Sequence, residues 1–196
     1  MAFLNYMARE VATQVAFWGC AGAGKRTSLA HLHALVREPR GKVQWVDPPP
    51  MDLLHFDLLP NVAIRGMPLR IAIRGFHGAE PEPASGAHAR WLFKGTDGIV
   101  FVVDSRRDRL DANVASFEKL SAMREPFAVA GAPPAIALLY NKRDLPAAEL
   151  LTIDELNRAL NPGGEWEVFE GVATRNEGVT SAMKATLRPA LARLPR

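Results

Sequence analysis

Apolar positions along this chain recur with two periods. Residues 98–103 form an unbroken, largely β-branched run, the pattern of a strand buried on both faces of a parallel sheet. Residues 135–140 and 15–18 form similar runs, 69–74 alternate, and 42–46 and 168–170 read as short strands. Between these segments the period lengthens. Leu29, Leu32 and Val36 share one face of a helix over 27–36, and 85–93 and 110–123 are further helical segments. Thr152-Ile153-Asp154-Glu155 is a capping box opening a helix that runs to Leu160. Val179, Met183, Leu187, Leu191 and Leu194 trace the core stripe of a C-terminal helix interrupted at Pro189. The pattern predicts an irregular segment over 47–60, stiffened by Pro48, Pro49 and Pro50, and a flexible loop over 75–86. Strands alternating with helices across short connections predict an α/β fold: a doubly wound, mostly parallel sheet with helices on both faces.

Composition narrows the functional classes. The 196 residues are expected to form one domain, 1–196, with enough apolar side chains to fill a core without staples. A net charge of +3, with Lys and Arg scattered, argues against nucleic acid as a partner. The single Cys20 excludes a disulfide framework and fits a reducing cytoplasm. The five His residues show no metal-ligand grouping, and His31 and His33 fall on different sides of their helix. With no apolar stretch of spanning length, no export leader and no lipidation signal, the expectation is a cytoplasmic protein without a membrane anchor of its own.

Two motifs carry the chemistry. Gly19-Cys20-Ala21-Gly22-Ala23-Gly24-Lys25 follows the run at 15–18 and opens the first helix. Glycines there let backbone N–H groups turn toward an anion, the helix N-terminus adds partial positive charge, and Lys25 would reach the β and γ phosphates. The candidate cradle is Gly19, Ala21, Gly22, Ala23, Gly24, Lys25, Arg26 and Thr27; alone, this spacing also fits a plain strand-to-helix turn. Asn141, Lys142 and Asp144 follow the run at 135–140, at the carboxyl end of a buried strand, where open sheets bind ligands. Asp144 can accept both the N1–H and N2–H₂ donors of guanine, which adenine lacks. Asn141 would tie the base to the phosphate loop, with the Lys142 stem along the base plane. A polar turn is the plain alternative, but two motifs in this order point to GTP or GDP.

The residues resemble the small Ras-like GTPases, and within them the MglA-type bacterial polarity and gliding-motility GTPases. The likeness runs through Phe3-Leu4-Asn5-Tyr6 with Arg9-Glu10, Phe56-Asp57-Leu58-Leu59-Pro60, Gly98 to Ser105, residues 141–146 and Val172-Ala173-Thr174. It implies a Ras-like P-loop fold and a third guanine motif in which the Ala173 N–H meets the guanine O6, with Thr174 beside it. It also implies a role in polarity or motility and a roadblock-type, MglB-like regulator as partner.

Against that family, the catalytic equipment is missing. Arg26 stands where a magnesium-holding Ser or Thr belongs, and no Ser, Thr or Tyr occurs between Ser28 and Ser85. No Gln follows Gln44 to orient a water, and no Arg lies between Arg40 and Arg65 to act as a finger. The metal-linked Asp position is Gly75, a smaller departure, because MglA-type proteins tend to carry Thr there. The expectation is a pocket that retains nucleotide, with no catalytic and no metal-ligating residues of its own, and magnesium weak or absent. Arg26 would replace part of the metal's charge if it folds onto the phosphates. The rivals are an active GTPase completed in trans by its regulator, a nucleotide-free scaffold, and a P-loop kinase or ATPase, which Asn141 and Asp144 oppose. Cys20 is either a thiol activated by the helix end or a small loop filler. His77 sits two positions from where it would replace the missing Gln.

Overall fold

Side chains that alternate between two apolar faces build the centre of this molecule. The computed structural model describes residues 2–35, 44–46, 52–77, 91–124 and 133–194. Its strands are β1 (Phe3–Asn5), β2 (Glu10–Trp18), β3 (Gln44–Val46), β4 (Asp52–Leu58), β5 (Ala63–Ile64), β6 (Met67–His77), β7 (Gly98–Asp104), β8 (Ala135–Asn141) and β9 (Glu167–Glu170). Its helices are α1 (Lys25–Ala34), α2 (Leu110–Arg124), α3 (Ile153–Leu160) and α4 (Val179–Ala192). The sheet runs β3-β4-β6-β2-β7-β8-β9, with β1 on β2 and β5 on β6 as antiparallel additions. β6, β2, β7, β8 and β9 are mutually parallel; β4 runs against them, and β3, antiparallel to β4, runs in their direction.

The two cores follow from this alternation. Val15, Phe17, Val100, Val102, Ala137 and Leu139 pack on Leu29 and Leu32 of α1 and on the buried stripe of α4. Their neighbours Ala16, Trp18, Ile99, Phe101, Leu138 and Tyr140 pack on the opposite face, against Leu120 of α2 and Leu156 and Leu160 of α3. Helices therefore cover both faces, as the pattern predicts. The Thr152 capping box forms in both directions: Thr152 accepts from the Glu155 N–H, and Glu155 accepts from the Thr152 N–H. Trp18 is core; its indole N–H donates to the Ser116 carbonyl at 3.1 Å.

Four expectations change. Residues 47–60 are not all irregular, because 52–58 form β4, with Leu54, Phe56 and Leu58 facing inward. Gly75, Phe76 and His77 belong to β6 rather than to a loop; Gly75 lets α1 approach, since a Cβ there would meet Leu29 Cδ1 at 2.6 Å. β2 begins at Glu10, well before the predicted start, because its polar positions Thr13 and Gln14 are buried against Asp97. Pro189 lies inside α4, on an exposed position of its last turn, without ending the helix. Pro48, Pro49 and Pro50, residues 78–86 of the expected loop, and 85–90 of the expected helix lie outside the described residues, whereas 91–93 are helical. Among the described residues no helix is long and apolar enough to cross a membrane.

Candidate functional site

Parallel strands β2, β7 and β8 end together, and their connections converge there. The turn after β2 is shaped by two glycines. Gly19 has φ 141°, and a Cβ on it would lie 2.2 Å from the Val102 carbonyl oxygen. Gly24 caps α1 with φ 107°, and its missing Cβ leaves room for the Asn141 amide, which would otherwise meet it at 2.1 Å. The loop closes through an Ala23 N–H donated to the Cys20 carbonyl at 3.2 Å. Ser28 donates its N–H and hydroxyl to the Gly24 carbonyl at 2.9 and 3.1 Å. The first turn of α1 carries no acid, so its positive end is left for an anion.

Lys25 is buried in this loop. Its Nζ donates to the carbonyls of Gly19 and Cys20 at 2.6 and 2.9 Å and stands 4.5 Å over the Phe76 ring. Arg26 is exposed on the same turn, and Thr27 half-buried beside it. Ala21 and Gly22 are exposed and Ala23 buried.

Asn141 joins three segments. Its Nδ2 donates to the Ala23 carbonyl at 2.7 Å, and its Oδ1 accepts the Ala173 N–H at 2.8 Å. Asn141 thus joins the loop after β2 to the segment around Ala173. The Ala173 N–H, expected at the guanine O6, donates to Asn141 Oδ1 in this structure. Thr174 follows Ala173 in a single 3-10 turn, Ala173–Arg175. Asp144 is exposed at the turn after Lys142, close enough to Arg175 to feel its charge.

The charged pair behind these loops escaped the sequence reading. Asp104, the last residue of β7, is fully buried. Lys142 donates its Nζ to Asp104 Oδ2 at 2.8 Å, and Arg106 donates Nη2 to the same oxygen at 2.9 Å. Burial alone would raise the Asp104 pKa; hydrogen bonds from Arg106 and Lys142 outweigh it and hold the carboxyl below its ordinary value. Arg109 places Nε 3.8 Å from Asp104 Oδ2 and donates Nη2 to the Ala21 carbonyl at 2.8 Å. Asn113 accepts the Asp104 N–H at 3.0 Å and returns Nδ2 to its carbonyl at 2.8 Å. The sequence signal was an acid ending a buried strand with three arginines in the next five positions.

Cys20 resolves as the loop filler. It is buried, its Sγ lies 3.3 Å from Asn113 Oδ1, and burial pushes the thiol up despite Arg109 nearby. Alkylation at pH 8 should run at least about tenfold slower in the folded protein than in denaturant, because the thiolate is the reactive form. Equal rates would show an activated thiol. Arg74, beside the altered position Gly75, donates to the Trp91 carbonyl and stands 4.9 Å over the Trp91 ring. Among the described residues, no three His, Cys, Asp or Glu side chains are grouped to hold a metal.

The glycine turn leaves the positive end of α1 open to an anion, and Asn141 joins this turn to the segment around Ala173. No family model matches the chain. It is similar to the mutual gliding-motility protein MglA of Myxococcus xanthus, 33% identical over 199 residues, which covers 99% of this chain and 98% of that protein.

Proposed function

Since the chain belongs to the MglA family of small Ras-like GTPases, we propose that it binds GTP or GDP, hydrolyses GTP very slowly or not at all, and acts by binding another protein in bacterial gliding motility or cell polarity. One observation carries the nucleotide reading. Asn141 fastens the phosphate loop to the base loop at 2.7 Å, through space that only glycine at 24 leaves open. Gly19, Ala21, Gly22, Ala23, Gly24, Lys25 and Thr27 would hold the phosphates; Asn141, Lys142, Asp144, Ala173 and Thr174 would hold the guanine.

The hydrolysis reading rests on residue chemistry. Magnesium in such a site takes a hydroxyl from the first helical turn, and that position is Arg26. No Ser, Thr or Tyr lies between Ser28 and Ser85, and no Gln follows Gln44 to orient a water. Positive charge comes instead from protein groups: Lys25 and Arg26 at the helix end, with Arg106, Arg109 and Lys142 outnumbering Asp104 behind it. Such a cluster stabilises bound phosphates electrostatically without positioning an attacking water. The partner we propose is a roadblock-type, MglB-like regulator, as in the MglA-type family.

Two measurements test this. In a fluorescent GDP titration, EDTA should change the affinity less than about threefold, a small difference on the scale of 1.4 kcal/mol per decade. Single-turnover GTP hydrolysis should fall below roughly 10⁻⁴ s⁻¹, the order of intrinsic Ras turnover. A sharp loss on chelation, or turnover at the Ras rate, overturns the magnesium-poor reading. Stimulation by an added roadblock-type protein would instead establish a GTPase completed in trans.

A further inference from the structure

We infer that Asp104 is a positioning residue that couples base recognition to phosphate binding, acting through Lys142 on one side and Arg109 on the other; this rests on the nucleotide-binding reading above. The geometry places one carboxylate between two loops that Asn141 also joins. Asp104 Oδ2 takes the Lys142 ammonium at 2.8 Å, and Lys142 belongs to the turn that precedes Asp144. The same oxygen lies 3.8 Å from Arg109 Nε, and Arg109 Nη2 is bonded to the Ala21 carbonyl in the middle of the phosphate loop at 2.8 Å.

Four features make this a device rather than surface charge. Asp104 has no exposure, so its attraction for both cations is weakly screened. Arg106 grips it from a third direction, with Nε on Oδ1 at 3.1 Å and Nη2 on Oδ2 at 2.9 Å, which fixes the plane of the carboxylate. Lys142 holds a left-handed backbone, φ 67°, which a non-glycine residue adopts only when its surroundings over-determine it. The ammonium anchored on Asp104 is one such constraint. Arg109 Nε has no hydrogen-bond acceptor of its own, so its hold on Asp104 is electrostatic and responds to what Lys142 does.

A change at the base turn is thereby felt at the Ala21 carbonyl. If Lys142 shifts when guanine enters, the charge facing Arg109 shifts with it, and the phosphate loop tightens or relaxes. Asn141 provides a short, direct link between the same loops. Asp104 adds one that depends on charge.

The test is a double-mutant cycle on fluorescent GDP affinity with Lys142→Met and Arg109→Met, each keeping its aliphatic stem while losing its charge. With Asp104 present, the double variant should lose at least fivefold less affinity than the product of the single losses, because breaking either arm already breaks the bridge. In an Asp104→Asn background, the losses should multiply. Melting temperatures without nucleotide separate folding from coupling: a merely structural Asp104 would lower them and leave the losses multiplicative. Should Asp104→Asn fail to fold, the cycle in the Asp104 protein decides alone, and multiplicative losses there overturn the inference. Failure of the unmutated protein to bind GDP at all would overturn the nucleotide reading and this inference together; binding with multiplicative losses overturns this inference only.

Discussion

Gly24→Ala should abolish tight nucleotide binding and destabilise the fold at once. The φ of 107° at position 24 is one that residues with a Cβ rarely adopt, and the added methyl would lie 2.1 Å from Asn141 Nδ2. Asn141 cannot step aside cheaply. Its amide is held by the Ala23 carbonyl at 2.7 Å and by the Ala173 N–H at 2.8 Å, and it is almost fully buried. Backbone strain of about 1–2 kcal/mol and the loss of one or two buried hydrogen bonds, each on the order of 1–3 kcal/mol when a partner is orphaned, sum to about 3 kcal/mol. For a chain of this size that lowers the melting temperature by on the order of 10 °C. GDP affinity should fall at least about a hundredfold, since both the cradle and the base loop lose their shared contact. Gly22→Ala is the control. It shares a positive φ, 77°, but its missing Cβ has nothing within 4 Å, so the strain remains while the clash does not. Equal losses in the two variants would show that backbone strain, not the Asn141 bridge, dominates.

That bridge was legible in the sequence because both its ends are spelled by unusual residues: glycines before a lysine, and an Asn-Lys-x-Asp turn after an apolar strand. The central strands were legible for a similar reason. β7 and β8 are buried on both faces and read as unbroken apolar runs. β4 was hidden by its neighbours. Leu54, Phe56 and Leu58 alternate with His55 and Asp57, yet the proline run just before them dominates the local signal. The first half of β2 was hidden by Thr13 and Gln14, polar residues that look like solvent positions. They are buried because Asp97 accepts the Thr13 hydroxyl at 2.8 Å and the Gln14 N–H at 3.0 Å. In β2 a distant partner satisfied the polar groups, and period alone cannot see a partner.

The same blindness covered Asp104. A carboxylate followed by Arg106, Arg107 and Arg109 reads as a solvated charge run, and Arg107 does behave that way, half-exposed against Glu155 at 3.4 Å. Arg106 and Arg109 turn inward because β7 ends beneath the phosphate loop and leaves Asp104 no water. At Ala173, the N–H serves Asn141. A guanine O6 would then depend on other donors nearby, which moves the weight of base selection onto Asp144.

Asp144→Asn is therefore expected to reverse the base preference rather than merely weaken it. A carboxylate at 144 is acceptor-only and matches guanine, which offers N1–H and N2–H₂ as adjacent donors. A carboxamide keeps one acceptor and presents one donor, so it opposes the guanine amino group with an N–H of its own. Xanthine carries a carbonyl oxygen in place of that amino group and matches the carboxamide. Sites that lose a matched polar partner discriminate by factors of about 10⁴. The exposed setting of Asp144 at its turn lowers that leverage, because water can stand in for a lost partner. GDP affinity should fall by roughly 10³, and xanthosine diphosphate should become the better ligand by at least about tenfold. Arg175, whose charge reaches Asp144, should matter less: Arg175→Gln changes GDP affinity by under about threefold, because its closest partner is Glu177 at 2.7 Å and both are exposed. Competition titrations with the two diphosphates check both statements. If Asp144→Asn binds GDP as the unmutated protein does, the guanine is read elsewhere or not at all, and the turn after β8 loses its role in selecting the ligand.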